Sequence, residues 1–118
     1  MNRVELIGNW TKEPELRVSP SGQKIMSCSI ALNRGKDRGA DFINVVAFDE
    51  IASNCSKFTR KGSKVGISGR IQSRNYTSKD GSKKVAYEVV AEFIEYLSTK
   101  DSSEEIYEGE LSTDDLPY

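Results

Sequence analysis

Lys64-Val65-Gly66-Ile67-Ser68-Gly69-Arg70-Ile71-Gln72-Ser73-Arg74-Asn75-Tyr76 alternates with a period of two. Val65, Ile67, Gly69 and Ile71 fall on one side, and Lys64, Arg70, Gln72, Arg74 and Tyr76 on the other. In an extended chain this separates a buried row from a solvent row. The outer row is basic and ends in an aromatic ring. The following Ser78-Lys79-Asp80-Gly81-Ser82 predicts a hairpin tip. The returning strand is expected to bury Val85, Tyr87, Val89, Ala91, Phe93 and Leu97.

Upstream, period-two segments at 2–8, 24–33 and 41–48 are separated by turn residues, with Pro14, Pro20, Ser21 and Gly22 marking a loop between the first two. In 24–33, Met26, Cys28, Ile30 and Leu32 share a face opposite Ser27, Ser29 and Asn33. Residues 34–39 alternate charges with two glycines and predict a basic loop. The segment 41–48 has two apolar rows, Ile43, Val45 and Ala47 against Phe42, Val46 and Phe48, and in one small sheet one row must face outward. Ile51, Cys55 and Phe58 recur at helical spacing, with Asp49 suited to cap the start, Gly62 to end the turn, and Lys57, Arg60 and Lys61 to suit the dipole. Five strands with one helix between the third and fourth is the order of an OB-fold, an all-β barrel whose open face commonly binds oligonucleotides.

At 118 residues and 36% hydrophobic content the chain suits one modest core. The expected division is an OB-fold domain over 1–99 and a disordered acidic tail over 100–118. The tail has no apolar periodicity before Leu116-Pro117-Tyr118. After Lys100 its seven acids (Asp101, Glu104, Glu105, Glu108, Glu110, Asp114 and Asp115) are balanced by no base. All 17 Lys and Arg lie at or before Lys100, where only eleven acids stand, giving a body of about +6. A basic body with an acidic tail is the asymmetry of a nucleic-acid binder.

No run approaches the roughly 20 apolar residues of a membrane span and the N-terminus does not read as a signal peptide, so a cytoplasmic protein is expected. Cys28 and Cys55 are expected to be reduced and packed. With no histidine, the commonest general base and zinc ligand is missing. No enzyme, cofactor or metal is therefore expected. The rival enzyme reading is a metal-dependent nuclease with Asp41, Asp49 and Glu50 as ligands, although a helix start favours acids at the last two positions in any case.

A single strand needs cations for its phosphates and flat rings for its unpaired bases. Phe42, Phe48 and Tyr76 would supply rings on the side that carries Arg70 and Arg74. The alternative places those rings in the core, but Ile43, Val45 and Ala47 already fill an inward row. Trp10 would be a further stacking platform, or else a cover for the barrel's edge or a subunit contact. Arg34, Lys36 and Arg38 would hold phosphates or simply be solvated.

The runs Asn2-Arg3-Val4 with Leu6-Ile7-Gly8-Asn9, Thr11-Lys12-Glu13-Pro14-Glu15-Leu16-Arg17, Ser19-Pro20-Ser21-Gly22, and Ala40-Asp41-Phe42-Ile43-Asn44-Val45-Val46 stand in this order along the chain. They closely resemble the single-stranded DNA-binding protein family of bacteria and bacteriophages. Lys61-Gly62-Ser63, Gly69-Arg70-Ile71-Gln72-Ser73-Arg74-Asn75-Tyr76 and the tip Asp114-Asp115-Leu116-Pro117-Tyr118 extend the likeness.

The resemblance implies base-stacking rings at Phe42, Phe48 and Tyr76 and a homotetramer in which first strands meet. It also implies a tip that docks on replication, recombination and repair proteins, and residence in the cytoplasm at the nucleoid, or in a host's cytoplasm for a phage protein. The tip has its own logic: Leu116, Pro117 and Tyr118 offer an apolar anchor, and Asp114, Asp115 and the terminal carboxylate suit a basic pocket. The family's tip usually ends in Phe and often has three acids in a row, where this chain has Thr113 before two acids and ends in Tyr118; its linker is often longer, and the aromatic often found after the 24–33 strand has no counterpart in 34–39. Single-stranded RNA binding by the same face, or an oligomeric interaction module, are the competing functions.

Overall fold

The computed structural model describes residues 1–98, so residues 99–118, including the tip Asp114 to Tyr118, lie outside the described residues. Its elements are β1 (Val4–Trp10), β2 (Glu15–Val18), β3 (Lys24–Asn33), β4 (Ala40–Phe48), α1 (Asp49–Phe58), β5 (Lys64–Thr77) and β6 (Lys83–Tyr96). The sheet runs β1-β5-β6-β4-β3-β2, and a second pairing of β1 with β3 closes the ring. This is an OB-fold barrel, with the helix between β4 and β5. β2 is the one strand added to the expected five. It pairs Glu15↔Ser27 through Val18↔Lys24, on the same edge of β3 that β1 uses further along at Asn9↔Ala31 and Trp10↔Ile30.

The core follows from strand alternation. Met26, Cys28 and Ile30 point inward from β3, Val45 and Ala47 from β4, Val65 and Ile67 from β5, and Val89 and Ala91 from β6. Ala52 and Cys55 of α1 close one end of the barrel. Both thiols are free and buried, and burial pushes each above its ordinary pKa. Asp49 does not cap the helix. It is the first helical residue, with φ of 54°, and Phe48 takes the cap position without a side-chain hydrogen bond. Aspartate tolerates left-handed backbone better than most residues, which fits it to this sharp strand-to-helix corner. Gly62, with φ of 88°, turns the chain after the helix as expected. Among the described residues no helix is long and apolar enough to cross a membrane.

The buried row of β6 departs from its alternation. Ser68 pairs with Phe93 but Gly69 with Ala91, which leaves Glu92 as the extra residue of a bulge. Beyond it the phase flips, so Ile94 is buried and Tyr96 packs on the core, while Phe93 and Leu97 are exposed. Val85, Tyr87 and Ile71 are exposed too, because the β5–β6 hairpin outruns the barrel wall. Val85, Tyr87 and Phe93 of β6, Leu97 just after it, and Ile71 of β5 correct the expected inward rows.

The bulge explains a glycine. A Cβ on Gly69 would stand 2.0 Å from the Val90 carbonyl oxygen, and backbone cannot yield as a flexible side chain can. Gly69→Ala should therefore destabilise the fold by about 1–3 kcal/mol, the usual range for overpacking. Thermal unfolding measures it, and an unchanged Tm would mean that the strands do not approach this closely.

Candidate nucleic-acid interface

The outward faces of β3, β4, β6 and β5 make one continuous surface. Ser27, Val46, Val90 and Arg70 are successive cross-strand neighbours across it. Phe42 and Phe48 stand an even number of residues from Val46, and so share its side. Phe42 is 66% exposed and Phe48 half-buried. Gln72, Arg74 and Tyr76 continue the side of Arg70 along the hairpin, and Tyr76 is exposed. β4 and β6 pair only at Val45↔Val89 and Val46↔Val90. Beyond that short parallel contact they part, with Phe42 on one side of the opening and Arg74 and Tyr76 on the other.

The cations are partly engaged. Arg70 Nε lies 3.5 Å from Glu92 and Arg74 3.4 Å from Glu88, whose other oxygen accepts a 2.8 Å hydrogen bond from Gln72. The Arg70–Glu92 pair is exposed on both sides and contributes about 0–1 kcal/mol, so a phosphate displaces that carboxylate at little cost, whereas the Glu88 side chain is only 11% exposed. Arg34 is held more firmly. Its Nε and guanidinium nitrogen donate to Asp41 Oδ1 at 2.9 and 2.7 Å. Those hydrogen bonds hold the Asp41 carboxyl below the usual range and raise the guanidinium in turn. Arg34 thus braces the mouth of the 34–39 turn beside Phe42, while Lys36 stands exposed at its tip.

The fold adds a cation that the alternation hides. Arg17 on β2 pairs with Ile25, and Ile25 with Phe48, so Arg17 is exposed on the same outer face in one row with a ring. The signal is the period-two run Glu15-Leu16-Arg17-Val18, masked by Pro14 and Pro20 on either side.

Trp10 does not join this face. It is 2% exposed. Its indole N–H donates to Thr59 Oγ1 at 3.1 Å, and its backbone bonds to Ser63 and Gly62 at 3.0 and 2.9 Å. A ring sealed inside the barrel offers no face to a base, so the stacking role expected for Trp10 is corrected to a core role that ties β1 to the turn after α1.

The nuclease ligands are also separated. Asp41 and Asp49 stand eight residues apart, about 26 Å along an extended strand. Asp41 is held by Arg34, and Asp49 accepts a 3.5 Å hydrogen bond from Gln23. Among the described residues no three acidic, cysteine or histidine side chains gather as a metal site would require.

An OB barrel with an open face of rings and cations defines a class of oligomer-binding domains. The Single-strand binding protein family matches residues 1–97. Single-stranded DNA-binding protein 2 of Listeria monocytogenes is 42% identical over 110 residues, which cover 89% of this chain and 69% of that protein. A Single-stranded DNA-binding protein of Staphylococcus aureus is 41% identical over 109 residues, 88% of this chain and 70% of its own. Another from that species, Single-stranded DNA-binding protein 2, is 43% identical over 105 residues, 85% of this chain and 74% of its own. The chain belongs to the single-strand binding protein family.

Proposed function

We propose that this chain binds single-stranded DNA with little sequence preference, holding it unpaired and protected without catalysing any reaction on it. The observation that carries the reading is the exposed Phe42 on the outward face of β4, which Val46↔Val90 and Arg70↔Val90 join to the face of β5 that carries Arg70, Arg74 and Tyr76. Stacking is indifferent to base identity, since every base has a π-face, and cations recognise only the backbone. Family membership and the names of the relatives favour DNA over RNA as the strand. Phe42, Phe48 and Tyr76 stack on bases in this reading. Arg70, Arg74, Lys36 and Arg17 meet phosphates, and Arg34 orients the turn beside them.

The protein self-associates, as a homotetramer, through the outward surface where β1 meets β5 and the end of β6. Ile7, Phe93 and Leu97 are exposed there around Gly66, and among the described residues 4–8 of β1 pair with β5 alone. An open strand edge beside an apolar face is a ready template for a second copy. The tip Asp114, Asp115, Leu116, Pro117 and Tyr118 recruits proteins of replication, recombination and repair, in the cytoplasm where the DNA lies.

Titration with oligo(dT) at several salt concentrations tests the binding. Log affinity should fall linearly with log salt, by about −0.7 for each phosphate neutralised. Duplex of the same length should bind far more weakly. Affinity indifferent to salt, equal binding of duplex, or a preference for oligo(U) would contradict the proposal.

A further inference from the structure

We infer that single-stranded DNA passes around the β5–β6 hairpin and stacks on Tyr87 on its reverse side. The inference rests on the DNA-binding reading and extends its path. Facing pairs along the hairpin run from Arg70↔Val90 to Thr77↔Lys83, and alternation gives it two faces. Arg70, Arg74, Tyr76 and Lys84 share the front. Ile71, Tyr87, Val85 and Lys83 share the reverse.

At the root, Ile71 faces Val89, which is buried in the barrel. The next reverse-face pairs, Ser73↔Tyr87 and Asn75↔Val85, lie beyond the wall. Tyr87 is consequently 68% exposed, the most open aromatic ring among the described residues. Packing within the chain cannot be its role.

Charge selects the occupant. From Arg70 to Glu88 the hairpin carries five cations against two carboxylates, Asp80 and Glu88. Glu88 already faces Arg74, and Asp80 accepts hydrogen bonds from the Ser82 N–H and the Ser78 and Ser82 hydroxyls, which keep the tip closed. Lys79, Lys83 and Lys84 are in no ion pair among the described residues. A strand leaving Tyr76 on the front meets Lys84, then Lys83 at the rim, then the ring of Tyr87, with a cation or a π-face at each step. A second copy fits less well. Two such hairpins repel, and the three apolar side chains on the reverse face fall short of the roughly 800 Å² per partner of a stable interface.

The test measures affinity of the full chain for dT oligomers of increasing length, with Tyr87→Ala, Tyr87→Phe and Phe42→Ala beside the unaltered protein. On the shortest oligomers that bind, which reach only the front, Tyr87→Ala should match the unaltered protein. On longer ones it should fall behind by about five- to 150-fold, the range of one stacked base, and Tyr87→Phe should recover the loss. Phe42→Ala should be weaker at every length. Tyr87→Ala equal to the unaltered protein at all lengths while Phe42→Ala is weakened would overturn the reverse-face path alone. So would a drop in assembly mass in Tyr87→Ala, which would assign the ring to a second copy. No affinity of the unaltered protein at any length would overturn the DNA reading itself.

Discussion

Alanine in place of Trp10 is expected to destabilise the protein by about 3–5 kcal/mol, the range for truncating a large buried aromatic side chain. The indole is 2% exposed, so its removal leaves a cavity that the surrounding strands fill only in part. Thr59 loses an acceptor role but keeps its own partner, because its hydroxyl still donates to the Cys55 carbonyl at 2.6 Å. Trp10→Phe should accordingly cost less, since it retains most of the volume and orphans no buried donor. Chemical denaturation measures both. As the sole tryptophan, Trp10 also reports on binding, and its emission should change little when oligo(dT) is added, for no base reaches it. A Trp10→Ala protein as stable as the original, with weakened DNA affinity, would put the ring back on the surface.

The converse is expected of Phe42 and Tyr76. Phe42→Ala combined with Tyr76→Ala should weaken oligo(dT) binding by about 1–3 kcal/mol for each base unstacked. Both side chains are exposed, so the melting temperature should move little. The two act on one strand, and their effects add only if each base is released independently. The outcome that contradicts the reading is a large fall in Tm with affinity per folded molecule unchanged. Phe48→Ala divides between the two classes. Its ring is half-buried and faces Ile25 across the strands, so part of its loss should appear as stability.

The barrel was legible wherever alternation and the barrel wall coincide. Residues 24–33 and 64–70 carry one apolar row each, and β3 and β5 bury those rows. Alternation says nothing of where the wall ends, which is why Ile71, Val85 and Tyr87 read as core and stand in solvent. A bulge breaks the count by one residue. Its trace in the sequence is the adjacent apolar pair Phe93-Ile94, with Ile94 taking the core position that the unbroken period assigns to Phe93. Trp10 was undecided because a ring just after a strand has the same local pattern whether it turns in or out. What decides it is contact with Thr59, distant in sequence and adjacent only once the barrel closes. Arg17 lay behind two prolines for a related reason, since a four-residue strand is specified by the neighbour it pairs with more than by its own composition.

Ultraviolet crosslinking of the full chain to oligo(dT), followed by mapping of the modified peptides, tests most directly whether the strand lies on the open face. Adducts on the peptides bearing Phe42 and Tyr76, competed away by unlabelled single strand and not by duplex, are the expected result. Adducts confined to the surface around Ile7 and Phe93, with those peptides unmodified, would contradict it.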